Sequence, residues 1–176
     1  METTTLKPKS SGFINVRILV FTAVMALVIG FPAYVFIDSA LSGGIKDRGD
    51  GYKEVDLKAM STFSFDQNDG RIDDVPQKWR ELNGKRVVLR GEMYAPNAAS
   101  NRIPQFELVY SIAKCCVTTA PQIQHFVKSK AVNKDGNVPF YSGLVQVWGT
   151  LKVDVKREEG KVVSVYELDV ERVEQI

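Results

Sequence analysis

Residues 143–173 read GLVQVWGTLKVDVKREEGKVVSVYELDVERV, and their alternation decides the fold. Val145 and Val147, then Leu151, Val153 and Val155, recur at every second position, the period of a strand with one buried face. Gly149 falls inside this run, which suits a bulge or a bend. Glu158-Glu159-Gly160-Lys161 is turn chemistry, so the stretch predicts a long hairpin with strands at 143–155 and 162–173. On the second strand Val163, Val165, Glu167 and Asp169 take one side, with Val162, Tyr166, Leu168 and Val170 mostly on the other.

Two further strands precede it. Lys85 to Tyr94, KRVVLRGEMY, puts Val87, Leu89 and Met93 on one side and Arg86, Val88 and Arg90 on the other, with Gly91 breaking the pattern. Gln105 to Ile112 alternates Phe106, Leu108, Tyr110 and Ile112, after a polar loop from Ala95 to Pro104. Ile123 to Val132 alternates imperfectly and reads as a strand or a short helix. Asn133 to Asn137 is a turn. Upstream, Asp74-Val75-Pro76 opens a short helix, since proline is well tolerated where the N–H is unpaired anyway. Val75, Trp79 and Leu82 give it one apolar face, and Asn83-Gly84 closes it. Leu57 to Met60 reads as a brief turn, Thr62 to Phe65 as a short strand, and Gln67 to Gly70 as a turn. About five strands, two broken by glycine, predict a mainly β domain: a small OB-like five-stranded barrel with one short helix. A compact β-sandwich is the second choice.

The N-terminal part is of a different kind. Ile18 to Ile37, ILVFTAVMALVIGFPAYVFI, holds 20 residues without a charge between Arg17 and Asp38. At about 1.5 Å per residue such a helix matches the roughly 30 Å hydrocarbon core of a bilayer. Pro32 is tolerated in that setting and predicts a slight kink. A cleaved signal peptide is the competing reading, but its apolar region would be shorter, about 7–15 residues. Lys7, Lys9 and Arg17 precede the run, and Asp38, Asp47 and Asp50 follow it, which places the N-terminus in the cytoplasm. The expected organisation is a cytoplasmic segment, residues 1–17; a transmembrane helix, 18–37; a flexible glycine-rich tether, 38–52; and an exported domain, 53–176. In a two-membrane bacterium that domain is periplasmic.

Beyond residue 38 the chain carries 20 basic and 19 acidic residues. This near-neutral balance lacks the positive excess of a nucleic-acid binder, although a local patch remains open. Phosphate-binding and nucleophile-elbow motifs are absent from the sequence. The chain has two cysteines, and adjacent cysteines cannot staple distant parts of a fold.

Gly84-Lys85-x-Val87-x-Leu89-x-Gly91, then Phe106-Glu107-Leu108-Val109, then Lys114-Cys115-Cys116 with Pro121, then Val147-Trp148-Gly149-Thr150-Leu151 occur in that order. Together they resemble a family of uncharacterised bacterial exported proteins with an OB-like domain and a paired-cysteine signature. The likeness covers roughly Tyr52 to Glu174, and Leu82-Asn83-Gly84-Lys85 matches the family's entry into its first long strand. Many members carry Phe-Gly after the cysteines, where this chain has Val117-Thr118. The resemblance implies fold and export, and some relatives suggest a link to metal-linked membrane transport.

Cys115 and Cys116 admit three readings. They are buried packing residues at a strand end; or a redox-active pair, even a strained vicinal disulfide, permitted by an oxidising compartment; or thiolate ligands for a soft metal such as Zn(II) or Cu(I), with His125 and a carboxylate completing the set. His125 alone reads as a surface or strand residue. The expected function is a non-enzymatic, membrane-tethered interaction module, with a protein partner in a membrane or transport complex and no nucleic acid. The alternative is a thiol- or metal-handling protein centred on Cys115-Cys116.

Overall fold

The computed structural model describes residues 16–41, 43–118 and 120–176, with side chains for all of these except 31–41 and 116–118. The chain separates into two compact units, Met1–Leu41 and Ser42–Ile176. Among its described residues the first holds one helix, α1 (Val16–Leu41). Among the described residues no helix is long and apolar enough to cross a membrane. Side chains of α1 are described over residues 16–30, a rise of about 22 Å, and the expected span at 18–37 runs past them.

The second unit is mainly β, with one large sheet and few helices. Its strands are β1 (Ile45–Asp47), β2 (Lys53–Val55), β3 (Arg86–Tyr94), β4 (Arg102–Ile103), β5 (Gln105–Val109), β6 (Val127–Ala131), β7 (Val138–Pro139), β8 (Leu144–Glu158) and β9 (Lys161–Gln175). Two short helices, α2 (Leu57–Ser61) and α3 (Gln77–Arg80), lie between β2 and β3. The sheet runs β1-β2-β3-β5-β6-β9-β8, and β8 returns to pair with β3. The pairings therefore form a circuit, β3-β5-β6-β9-β8 and back. All its ladders are antiparallel except β6–β9, which is parallel.

A single strand, β3, makes this circuit possible. One of its edges pairs with β2 at Val87–Leu89 and then with β5 at Glu92–Tyr94, while the other edge pairs with β8 over Arg86–Glu92. Gly91 sits at the changeover. A Cβ there would lie 2.4 Å from the Val109 carbonyl oxygen and 2.9 Å from Leu57 Cδ2, so only glycine admits the approach. Gly149 does the same on β8, where an added Cβ would meet the Asp169 carbonyl oxygen at 2.3 Å beside a bulge in the β8–β9 ladder.

The core gathers the expected alternating residues: Val87, Leu89 and Met93 from β3, Phe106 and Leu108 from β5, and Val145, Val147, Leu151 and Val153 from β8. Val75, Trp79 and Leu82 are buried as expected, but the helix is shorter than the spacing predicts: Ile72–Asp74 is a 3₁₀ turn and α3 holds only Trp79 of the three. Tyr166 is fully buried and its hydroxyl donates to the Met60 carbonyl at 3.1 Å. Val88, Val109, Cys115 and Trp148 are buried outside this main cluster, and the Arg172 guanidinium covers the Trp148 ring at 4.0 Å.

Several expectations need correction. Residues 38–52 are not a plain tether, because β1 pairs antiparallel with β2 inside and beyond them. Asp47 accepts from the Gly49 N–H and Asp50 from the Tyr52 N–H, and these side-chain bonds fold the glycine-rich stretch into a hairpin. Thr62 to Phe65 is irregular rather than a strand, since the Phe63 and Phe65 carbonyls accept from Gln124 and Gln67 side chains. The strand from Gln105 stops at Val109, where the Ile112 N–H turns to the Glu92 carboxylate and a π-helical turn, Ala113–Thr118, follows. Ile123 to Val132 divides into a 3₁₀ turn, Ile123–His125, and β6. On β9 both Val165 and Tyr166 are buried, because register shifts between Val153 and Arg157 change the phase of alternation. The helix count rises from one short helix to two in this unit.

Candidate functional site

The outward faces of β5, β6 and β9 form the floor of an open cleft of about 1170 Å³. Alternation places Gln105 and Glu107 on the outside of β5, Lys128 and Lys130 on β6, Glu167 and Asp169 on β9, and Lys152 and Lys156 on β8. Register then lines these residues up across the strands. Glu107 faces Lys128, Lys128 faces Glu167, and Glu167 faces Lys152, a row of alternating sign over four strands. The next row runs Gln105, Lys130, Asp169 and Thr150.

The wall is the loop 95–104, and it is built rather than loose. Its end forms β4, which pairs with β7 as a separate two-stranded sheet. Arg102 donates to the Asp135 carboxylate and to the Asn137 carbonyl, both at 3.1 Å. The Phe140 N–H reaches the Asn101 carbonyl, and the Ala131 N–H reaches the Pro104 carbonyl, each at 2.9 Å. At the base of the wall the Tyr94 ring stands 6.5 Å from that of Phe126. A cleft held open by such bonds needs little reorganisation to accept a ligand.

The cleft is lined by five cations, Arg102, Lys128, Lys130, Lys152 and Lys156, and three carboxylates, Glu107, Glu167 and Asp169. It thus concentrates more positive charge than the near-neutral domain as a whole. Lys152 pairs with Asp169 and Lys156 with Glu167, each at 2.6 Å. The bond to Glu167 raises the Lys156 pKa above its ordinary value. Burial pushes the Glu107 carboxyl up, against the pull of the Lys128 ammonium. Glu107 and Lys128 also border a smaller pocket of about 270 Å³ with Pro121, Gln122, Ile123, Phe126, Val163 and Ser164.

The cysteine loop lies just before that pocket in the chain. Cys115 is buried in the π-helical turn and its N–H reaches the Ser111 carbonyl at 3.0 Å. The side chain of Cys116 lies outside the described residues. His125 closes the 3₁₀ turn, with its ring edge-on to Tyr110 at 6.3 Å. Its Nδ1 is buried without a hydrogen-bond partner, and burial lowers its pKa. Among the described residues no three or more His, Cys, Asp or Glu side chains come together as a metal site.

What fixes this loop is an amide network the sequence reading missed. Gln124, fully buried, donates to the Phe63 carbonyl at 3.1 Å and to Gln122 Oε1 at 2.7 Å. Gln67 donates to Gln124 Oε1 at 3.0 Å and accepts from the Ile123 N–H at 2.8 Å. Lys128 and Lys130 also went unnoticed, and their signal was the i, i+2 spacing within a segment that read equally as helix or strand.

No protein-family model matches this chain, and no curated protein does. Among solved structures it is similar to a DUF3299 family protein from Pseudomonas aeruginosa, at 18% identity and a TM-score of 0.42, over 66% of this chain and 76% of that one. That protein is a distant structural neighbour.

Proposed function

We propose that this chain is a membrane-anchored, extracytoplasmic interaction module, without catalysis of its own, that holds a protein partner in the cleft of an OB-like barrel. The observation that carries the reading is the walled cleft itself: preformed, open, and lined by charges of both signs in register. The circuit of pairings, with its one parallel ladder, supports the OB-like assignment. In that architecture the second and third strands and the loop between the first two bind ligands. The corresponding parts here are β5, β6 and residues 95–104, which are the floor and wall of the cleft. The charge-free run from Ile18 to Ile37, with its basic N-terminal flank, supports the anchor and its orientation. A periplasmic location follows in a two-membrane bacterium.

The near-neutral balance of the chain beyond residue 38 favours a polypeptide over a nucleic acid as the partner. Full-length chain should be recovered from its own membranes in mild detergent, as wild type, as Lys128→Glu/Lys130→Glu, and as Lys161→Glu at the β8–β9 turn, a residue that does not line the cleft. A defined protein should accompany the wild type and the Lys161 variant and be lost from the double variant. Recovery of the chain alone from all three would refute the reading.

A further inference from the structure

We infer that the cleft takes an extended acidic peptide segment, two carboxylates with one residue between them, with Lys128 and Lys130 as the recognising pair. This rests on the cleft being the interaction site. Of the five cations lining it, three are already engaged: Arg102 by Asp135, Lys152 by Asp169 and Lys156 by Glu167. Among the described residues Lys128 and Lys130 make no ion pair of that kind. Their cross-strand neighbours leave them undercompensated. Lys130 faces Gln105 on one side and Asp169, held by Lys152, on the other. Lys128 faces Glu167, held by Lys156, and Glu107, whose burial disfavours its charge.

Geometry specifies the ligand further. Residues two apart on one face of a strand stand about 6.6–7 Å apart, and the side chains of an extended peptide repeat at the same distance. A segment lying along β6 would therefore set carboxylates i and i+2 against Lys128 and Lys130. Glu107 and the acidic pair on β9 flank this centre on both sides. Beyond Lys128 and Lys130 the cations of the lining are already paired, so neutral or basic residues suit the positions around the acidic pair. A single-stranded oligonucleotide has a comparable charge spacing, but its charge continues past the two lysines to cations that are already paired.

The test uses the full chain in detergent and four fluorescein-labelled probes: a decapeptide with a Glu-Ser-Glu centre, its Gln-Ser-Gln and Lys-Ser-Lys counterparts, and an oligo-dT of about ten nucleotides. Fluorescence anisotropy should show binding of the acidic peptide that weakens as salt is raised. Lys128→Gln and Lys130→Gln should each weaken it about three- to fivefold, the range of an exposed charge pair. Lys128→Glu/Lys130→Glu should abolish it and create binding of a Lys-Ser-Lys decapeptide, a gain that misfolding cannot produce. Equal binding of the acidic and amide peptides would overturn the inference yet leave the cleft as the site. Absence of binding by any peptide would also overturn it, with the co-purification experiment still judging the cleft separately. Oligo-dT binding as tight as the acidic peptide would overturn both.

Discussion

Gly91→Ala should destabilise the β unit by about 3 kcal/mol, because β3 passes close to the backbone of β5 at that position. A methyl group at position 91 would sit 2.4 Å from the Val109 carbonyl oxygen and 2.9 Å from Leu57 Cδ2. Leu57 is a flexible side chain end, but the carbonyl is backbone in the adjoining strand. Relief requires β3 and β5 to separate by close to an ångström next to the Glu92–Val109 pair. Overpacking of this kind costs about 1–3 kcal/mol, and a weakened ladder bond adds about 1 kcal/mol. Both tryptophans, Trp79 and Trp148, lie in this unit and are buried, so their fluorescence reports its unfolding without interference from the N-terminal helix. With a urea slope near 1.5 kcal/mol/M, the midpoint should fall by about 2 M. Gly136→Ala is the control: φ there is +61° and nothing lies within 4 Å of the added Cβ. It should cost only the roughly 1 kcal/mol of a left-handed non-glycine residue. If Gly91→Ala lost no more than Gly136→Ala, the close approach of β3 to β5 would not be what demands glycine there.

Other perturbations follow from the same structure. Tyr166→Phe leaves the buried Met60 carbonyl without its donor and should cost about 1–2 kcal/mol in the same urea assay. Gln124→Leu should cost about 2–3 kcal/mol, since it leaves the Phe63 carbonyl and Gln122 Oε1 without their donor and takes one acceptor from Gln67; a change below 0.5 kcal/mol would contradict the network's role. His125 has a folded-state pKa below its ordinary 6.5, caused by burial. The unfolded chain then binds the proton first, so this residue lowers stability as pH falls through 6.5 and ceases to do so below the folded value. His125→Phe should flatten the stability profile on that side of neutrality, and an unchanged profile would show that the buried imidazole is not responsible.

Much of the mainly β architecture was legible because a half-buried strand writes its period into the sequence. Val145 to Val155 and Val87 to Met93 show this plainly, as do the glycines that interrupt them. What escaped depends on partners distant in the chain. β1 hid in a glycine-rich stretch because three residues cannot show a period, and its hairpin is organised by Asp47 and Asp50 side chains rather than by apolar residues. Thr62 to Phe65 looked like a strand on composition, but Gln67 and Gln124 supply the bonds a neighbouring strand would have supplied. The cleft was the least visible part. Each of its charges reads as an ordinary solvated residue on its own strand, and only register reveals the row from Glu107 to Lys152. Cys115 and Cys116, the rarer chemistry, stand out in the sequence instead, although Cys115 is buried in its turn.

The central claim is that the face of β6 under the 95–104 loop is where a partner docks. A photo-crosslinking amino acid placed at position 130 in cells, with one at exposed position 161 as reference, tests it most directly. The account predicts a discrete protein adduct from position 130 that is absent at 161 and is competed by the acidic decapeptide in isolated membranes. Indistinguishable adducts from both positions, or none from 130, would contradict it.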